Sequence, residues 1–201
     1  PTHYSYDVLG NLKTVTDAAG NVTTMTYDVL GRKTAMTDPD MGDWQYRYDL
    51  AGNLIKQRDA ANQAICFYYD ALNRLTGKTY HPNQANLDTL TCTGAYSVTY
   101  TYDQGGAAAY AIGRRTAMSN VSGSTTWQYD LRGRITQELK TITGGGTFKT
   151  KWGYDDLDHV AWMQYPNGNG GGVGEVVTYS YLPQGTVNTL SGASPYVQGS
   201  S

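Results

Sequence analysis

A tyrosine–aspartate pair recurs along the 201-residue chain at regular spacing. The first four copies follow one another at intervals of 21 residues, and their tyrosines are Tyr6, Tyr27, Tyr48 and Tyr69. Four looser copies follow, the last of which has leucine in place of aspartate; their tyrosines are Tyr102, Tyr129, Tyr154 and Tyr181. Self-similarity at a fixed short period indicates stacked supersecondary units, none of which can bury its apolar side chains alone.

Most copies carry a glycine four residues after the tyrosine; these are Gly10, Gly31, Gly52, Gly133 and Gly185. Asn73 and Asp158 take this position in two copies, and an insertion delays the glycine of the fifth copy to Gly113. Aspartate can accept a hydrogen bond from a backbone N–H two residues on, and glycine adopts positive φ without a clash. Each copy therefore predicts a tight turn. The aspartates that begin these turns are Asp7, Asp28, Asp49, Asp70, Asp103, Asp130 and Asp155.

A second column stands two residues before each tyrosine, and seven of its eight members are aromatic. They are Tyr4, Met25, Tyr46, Phe67, Tyr100, Trp127, Trp152 and Tyr179. The residues between the two columns are mostly polar or small, which is the period of two expected for a strand with one apolar face. Each copy therefore predicts a β-hairpin, and the aromatic columns of successive hairpins are predicted to share one face.

Composition supports an all-β fold. Leu, Ile, Val and Phe number only 33, but 18 Tyr and 4 Trp supply apolar area, and 24 Gly punctuate the chain. Eight hairpins give about sixteen strands of one antiparallel strip, which we expect to curl or spiral because wide sheets rarely stay flat. Residues 1–201 are predicted to form one array, with regular units in 1–80 and looser units with insertions in 81–201. Asp17-Ala18-Ala19-Gly20 and Asp59-Ala60-Ala61-Asn62 predict the turns that link one hairpin to the next.

Charge and hydropathy exclude some partners. The net charge is −2, which does not favour nucleic acid, and no apolar run approaches the 18 residues of a transmembrane helix, so no membrane insertion is expected. No signal peptide is recognisable, and the chain begins at Pro1 inside the repeat, so we expect it to be a segment of something longer. Cys66 and Cys92 could form one disulfide; the alternative is that Cys66 is a small residue on the sheet face opposite the aromatic column.

Three stretches resemble metal-binding or phosphate-binding sites. Asp155, Asp156, Asp158 and His159 could hold a hard cation, but we interpret them as a degenerate turn, because neighbours on a hairpin do not all converge on one ion. The segments 76–79 (TGKT) and 168–174 (GNGGGVG) lack the strand–helix context of phosphate-binding loops. The three histidines lie far apart in sequence. We therefore predict no catalytic residues, no metal and no cofactor.

The pattern Tyr-Asp-x-x-Gly-Arg resembles the YD repeat of the RHS (rearrangement hotspot) proteins. Residues 27–32, ending at Arg32, and residues 129–134 match outright, and residues 69–76, with Arg74, match apart from Asn73. The resemblance covers essentially the whole chain. Segment 38–42 (DPDMG) is similar to the Asp-Pro-x-Gly-Leu motif at which many RHS toxins are cut, but Asp43 follows it, and we interpret it as a variant linking turn with proline at its second position.

The resemblance implies a non-catalytic β-sheet shell or scaffold from a secreted or surface-exposed bacterial protein. The partners it implies are further YD repeats and either an enclosed toxin or effector or cell-surface glycans. The alternatives are an adhesive or carbohydrate-binding module and a self-assembling extracellular fibre. The ligand-binding residues are unknown. The tyrosines outside the repeat pattern are the better candidates for ligand contact, although no convergent polar set accompanies them: Tyr80, Tyr96, Tyr110, Tyr165 and Tyr196.

Overall fold

The computed structural model describes residues 1–193 and 195–197, which contain seventeen β-strands and one short 3-10 helix. The chain divides into two compact units, Pro1–Ser97 and Val98–Ser201. The strands of the first unit are β1 (His3–Tyr6), β2 (Leu12–Thr16), β3 (Val22–Tyr27), β4 (Lys33–Asp38), β5 (Gly42–Tyr48), β6 (Leu54–Arg58), β7 (Ala64–Tyr69) and β8 (Leu75–His81). Within this unit, successive strands from β1 to β8 pair antiparallel.

The second unit repeats this meander. Its strands are β9 (Val98–Tyr102), β10 (Arg115–Asn120), β11 (Gly123–Tyr129), β12 (Ile135–Ile142), β13 (Gly146–Tyr154), β14 (Val160–Asn167), β15 (Gly172–Tyr181), β16 (Val187–Ser191) and β17 (Pro195–Val197). They too pair antiparallel in sequence order. The predicted all-β fold of antiparallel hairpin repeats is confirmed. Each of the eight hairpins has a first strand that ends at the tyrosine of its Tyr-Asp pair, or of Tyr181-Leu182 in the last.

The strand register settles which side chains share a face. Met36 lies opposite Met25 on one side and Trp44 on the other. Gln57 in turn lies opposite Tyr46. Because directly opposite residues of an antiparallel pair project to the same face, and residues two apart in a strand do so as well, the aromatic column continues across the first unit. The second unit shows the same relation, since Trp127 faces Glu138 and Trp152 faces Met163. The one-face prediction is confirmed.

The turns that link one hairpin to the next lie at the ends of the strands opposite to the Tyr-Asp turns. Asp17 begins such a turn, and Gly20 closes it at φ 89°. In the next linking turn, the carboxylate of Asp38 accepts the N–H groups of Asp40 and Met41, at 2.9 and 2.8 Å. Segment 38–42 therefore connects β4 to β5 as a turn, as its position in the repeat predicts.

The fifth copy accommodates its insertion outside the strands. Residues Gly106–Ala109 form the 3-10 helix between β9 and β10, and Ala111, two residues after it, is buried. The N–H of Gly113 donates to the carboxylate of Asp103 at 2.6 Å, so this aspartate still closes the turn although seven residues have been added. The strands on either side resume the ordinary register.

Residues 82–97 form an irregular segment that folds back over β7 and β8; we call it the strap. Cys92 in the strap forms a disulfide with Cys66 in β7, and their Cα atoms are 5.7 Å apart. The interpretation of Cys66 as a small residue of the sheet face is therefore wrong in one respect. The Cys66 side chain is fully buried on that face. The strap returns to cover this side chain, and Cys92 of the strap is covalently bonded to it.

The repeated turn as candidate functional site

The Tyr-Asp turn has one geometry, which the β3–β4 hairpin illustrates. The Asp28 carboxylate accepts the backbone N–H groups of Leu30 and Arg32, each at 3.0 Å. The N–H of Gly31 donates to the Asp28 carbonyl, also at 3.0 Å, and Gly31 has φ 75°. The register shifts by one residue between Thr26 and Tyr27. These features define a three-residue loop in which a type I turn is followed by a left-handed residue and a bulge.

The residue in the glycine position takes a left-handed conformation whether or not it is glycine. Gly52 has φ 90°, Asn73 φ 59° and Asp158 φ 69°. Asparagine and aspartate tolerate this region better than other side chains. The turn therefore imposes the conformation, and the sequence supplies residues that can adopt it.

These turns hold their aspartates in the charged form. Asparagine side chains bonded to Asp7 and Asp49 are the largest cause that lowers the pKa of each carboxyl below its usual value. A backbone N–H bond is the largest cause for Asp28 and Asp70. At Asp130 desolvation raises the pKa most, but hydrogen bonds from Arg134 and Coulombic attraction to it outweigh that effect, and the pKa is lowered. The ionised carboxylate is therefore part of the folded turn.

In six of the eight copies, the tyrosine of the pair bonds to the preceding hairpin of its own unit. The Tyr48 hydroxyl donates to the carbonyl oxygen of Lys33 at 2.9 Å, and the Tyr69 hydroxyl donates to that of Leu54 at 3.0 Å. In every such contact the acceptor lies two residues after the preceding turn's glycine position. The other donors and acceptors are Tyr27 and Leu12, Tyr129 and Arg115, Tyr154 and Ile135, and Tyr181 and Val160.

The backbone ladder explains why a hydroxyl is needed there. Between β4 and β5 the ladder begins at the pair Ala35 and Gln45, two residues beyond Lys33. The strands separate toward the turn, so the Lys33 carbonyl has no opposing N–H in the ladder. The Tyr48 hydroxyl donates to this carbonyl and so continues the ladder by one bond. The tyrosine thus links adjacent hairpins at the point where their backbones part.

The residue after the glycine completes the connection. The Nε of Arg32 lies 2.7 Å from the carboxylate of Asp28 in its own turn, and its Nη1 donates to the Asp49 carbonyl of the next turn at 2.9 Å. The guanidinium also lies 4.8 Å from the centre of the Tyr48 ring. Arg134 repeats this arrangement with the turn that follows it. One arginine therefore joins two consecutive turns by an ion pair, a hydrogen bond and a cation–π contact.

The comparisons with known proteins point to one family. The RHS Repeat family profile matches residues 2–40 and 48–84. Residues 2–40 and 48–84 are therefore RHS repeats. No curated protein matches the sequence significantly. The RHS repeats provide a structural scaffold in which neighbouring hairpins of a unit are bonded to one another.

Solved structures share the fold of this RHS-repeat chain. A crystal structure of TcdB2–TccC3 without its hypervariable C-terminal region matches 98% of the chain with a TM-score of 0.79 and 13% identity, and 11% of its own length is covered. A complex of TcdB2–TccC3 with Cdc42 matches 96% with a TM-score of 0.77, again at 13% identity and over 10% of its length. The Photorhabdus luminescens Tc holotoxin pore matches 96% with a TM-score of 0.50 and 12% identity, over 14% of its length. The chain thus spans about a tenth of the polypeptides it resembles.

The candidate metal cluster is a turn of the Tyr-Asp pattern. The Asp155 carboxylate accepts the N–H groups of Leu157 and His159, and Nδ1 of His159 lies 3.0 Å from its second oxygen. The His159 ring stacks on Tyr181 at 4.4 Å, in the place that arginine takes elsewhere. Asp158, at the glycine position, pairs with the guanidinium groups of Arg132 and Arg134, each at 2.6 Å. In the described residues, no group of three His, Cys, Asp or Glu is arranged to hold a metal ion.

The two segments that resemble phosphate-binding loops also lie in strands and turns of the sheet. Segment 76–79 lies within β8, where Gly77 is covered by the Tyr96 ring. In segment 168–174, residues 168–171 form the turn between β14 and β15, and residues 172–174 begin β15. The N–H of Gly171 donates to the Thr147 carbonyl at 2.7 Å, so this glycine run packs against the start of β13. Neither segment has the helix whose N-terminus would face a phosphate.

The tyrosines outside the repeat pattern have different surroundings. Tyr96 of the strap packs on Tyr68, with ring centres 4.7 Å apart, although 44% of its surface remains exposed. Tyr80, Tyr110 and Tyr165 keep between two-fifths and a little over half of their surface exposed. The side chain of Tyr196 lies outside the described residues. In the described part of the chain, no helix is long and apolar enough to cross a membrane.

Sequence reasoning missed the tyrosine hydrogen bond, although the sequence carries its signal. The aromatic column two residues earlier accepts tyrosine, tryptophan, phenylalanine and methionine, as expected for packing alone. The column of the Tyr-Asp pair contains tyrosine in all eight copies and never phenylalanine. A position that always has the hydroxyl, beside one that does not need it, indicates a hydrogen-bond donor.

Proposed function

We propose that this chain is a non-catalytic wall segment of a larger secreted, bacterial RHS-type protein, in which it encloses or displays a toxin or effector domain. In this proposal residues 1–201 form one array, and further YD repeats continue it. The small share of the matched toxin polypeptides that the chain covers supports a longer parent protein. The wall would act mechanically, as a continuous hydrogen-bonded sheet between its contents and solvent.

One observation carries the proposal: the recurring polar residues are used inside the scaffold. Asp28 closes its own turn, Tyr48 donates to the previous hairpin, and Arg32 reaches the next turn. A repeated polar residue in an enzyme is a candidate for chemistry, but here the pattern is accounted for by bonds between hairpins. Such bonds stiffen a sheet that has little apolar core, which is what a wall requires.

Protection of neighbouring domains tests the enclosure. In the full polypeptide that contains residues 1–201, limited proteolysis with mass-spectrometric identification of the cut sites would be compared with the same treatment of each non-repeat domain expressed alone. We expect at least one such domain to be cut much more slowly in the full polypeptide. Moderate urea that unfolds the array should abolish that protection. Equal cleavage rates in the two settings would contradict enclosure and leave only a displaying scaffold.

An adhesive or glycan-binding surface is the second candidate. It is favoured by the exposure of Tyr80, which keeps 53% of its surface accessible, and by the stacked pair Trp44 and Tyr46 on the aromatic face. Binding of the chain to a glycan array would be measured before and after Tyr80→Ala, with Tyr68→Ala as the control for a tyrosine that packs against the core. Loss of a specific glycan signal with Tyr80→Ala alone would support this candidate. Absence of any glycan signal would exclude it for the glycans tested.

A further inference from the structure

The strap covers the most buried part of the first unit. Residues 1–97 are all described, and every residue buried among them belongs to the strap or to the strands beneath it. Leu87 and Leu90 of the strap pack on Ala64 and Cys66 of β7. The other buried residues are Gly77 and Thr79 in β8. The rest of this unit's sheet is a single layer without a buried core, so the strap contact is locally distinct from the repeats.

The strap accepts hydrogen bonds from three cationic side chains that lie side by side on this face. Asp88 accepts two hydrogen bonds from the guanidinium of Arg47, at 2.7 and 3.1 Å. The Nζ of Lys56 donates to the carbonyls of Leu87 and Leu90, at 3.1 and 2.7 Å. The strap carbonyl of Ala85 accepts a bond from Arg58 at 2.9 Å. Arg47 and Lys56 are direct neighbours across β5 and β6, so the covered face is strongly positive where the strap lies.

Most of these contacts are individually weak, and one is covalent. The Arg47–Asp88 pair is half exposed, and exposed ion pairs contribute little. The strap has no regular secondary structure of its own. An irregular segment of this kind lies at the low-stability end of a fold. The Cys66–Cys92 disulfide joins it to β7 across a separation of 26 residues, and closing such a loop strongly restricts the open conformations.

We propose that the strap is a redox-releasable cover: reduction of the Cys66–Cys92 disulfide opens residues 82–97 and exposes the cationic face of β5 and β6, while the hairpins remain folded. A disulfide is the state expected in an oxidising extracellular setting, and its loss is expected in a reducing one. The proposal stands on the strap contacts and does not depend on what the array encloses.

The chemistry is thiol–disulfide exchange. The thiolate of an external dithiol attacks the sulfur of Cys92, which is the more accessible of the two because Cys66 is fully buried. The Cys66 sulfur leaves as a thiolate and takes up a proton, and a mixed disulfide forms at Cys92. The second thiol of the reductant resolves that bond, which releases Cys92 as a thiol. Two electrons and two protons pass from the dithiol, which becomes a cyclic disulfide, to the two cysteines.

Hydrogen exchange tests the proposal on the 201-residue chain. The oxidised protein would be compared with protein reduced by dithiothreitol and alkylated under native conditions, with amide exchange followed by mass spectrometry. We expect exchange of strap peptides to become faster by on the order of a hundredfold, the size expected from losing a loop-closing bond. Peptides of the β3–β4 hairpin, residues 22–38, should exchange as before.

Two variants provide matched controls. Cys66→Ala combined with Cys92→Ala should show fast strap exchange without reductant and no response when reductant is added. Arg47→Gln keeps the disulfide and removes the Asp88 ion pair, so the strap of its oxidised form should remain protected.

Three results would overturn the proposal. In the first, the strap stays equally protected after both thiols are shown to be free, so the non-covalent contacts suffice. In the second, the hairpins lose protection from hydrogen exchange together with the strap, which would show that the disulfide stabilises the whole unit. In the third, dithiothreitol yields no free thiols under native conditions, so the bond is inaccessible in the folded protein.

Discussion

The hydroxyl of Tyr48 donates to the carbonyl oxygen of Lys33, 15 residues earlier in the preceding hairpin, at 2.9 Å. It supplies the donor that the backbone ladder between β4 and β5 lacks at that point. The same relation recurs between tyrosines and carbonyls of both compact units. The tyrosine of the repeat therefore links hairpins by a hydrogen bond and also contributes apolar surface to the sheet face.

Tyr48→Phe is expected to lower the free energy of unfolding by about 1 kcal/mol, because it removes one hydrogen bond and leaves a partly buried carbonyl without a donor. Urea denaturation followed by circular dichroism would measure the change. Tyr46→Phe is the matched control, since Tyr46 lies on the same face two residues away and its hydroxyl makes no hydrogen bond in the described part of the chain. If both substitutions cost the same, the tyrosine would act through packing alone.

The left-handed turn position gives a second prediction. Gly52→Ala should destabilise the protein by about 1 kcal/mol or more, since alanine is strained at positive φ. A Cβ at Gly52, where φ is 90°, would meet no atom within 4 Å, so the cost is conformational and not steric. Thermal unfolding would measure it.

Gly52→Asn is the control for that prediction, because Asn73 already occupies the equivalent position at φ 59°. The asparagine variant should retain most of the wild-type stability. Equal losses for alanine and asparagine would show that a side chain at this site disturbs the turn for some reason other than its backbone conformation.

The parts of the fold that the sequence predicts are those built from neighbouring residues. Asp28 and Gly31 are three residues apart, and their turn follows from the intrinsic preferences of aspartate and glycine. The alternation that ends at Tyr27 fixes the strand and its face in the same way. Local preferences repeated eight times at a nearly constant period leave little freedom for another fold.

The parts that were missed depend on distant residues and on backbone atoms. The acceptor for Tyr48 is a carbonyl, and every residue type has a carbonyl, so the acceptor position has no signature in the sequence. The strap has no period, and its partner Arg47 lies 41 residues before Asp88. Whether Cys66 and Cys92 pair depends on that return of the chain, which spacing alone does not determine.

Acid is expected to destabilise the array. Hydrogen bonds from neighbouring groups lower the pKa of turn carboxyls such as Asp7, Asp28 and Asp49 below the value in the unfolded chain. A group with a depressed folded pKa contributes stability that is complete above the unfolded pKa, about 3.9 for aspartate. That contribution is lost as the pH falls through the folded value. The urea midpoint should therefore be flat from neutral pH to about pH 5 and fall steeply below about pH 4.

Asp49→Asn tests the origin of this acid sensitivity. It preserves the shape of the side chain but cannot titrate, so the variant should start less stable at pH 7 and lose less stability on acidification. A pH profile parallel to that of the wild type would show that the turn carboxylates do not cause the acid transition.

Asp158 provides the last prediction, because two explanations of its acidic cluster give opposite outcomes. As a turn residue at φ 69° it is strained, and its pairs with Arg132 and Arg134 are exposed and contribute little. Asp158→Gly should therefore leave stability unchanged or raise it by up to about 1 kcal/mol. Neither Mg²⁺ nor Ca²⁺ should shift the unfolding temperature of the wild type. A cation-dependent rise that disappears in Asp158→Gly, but persists in the control Asp40→Gly on a linking turn, would instead establish a metal site at residues 155–159.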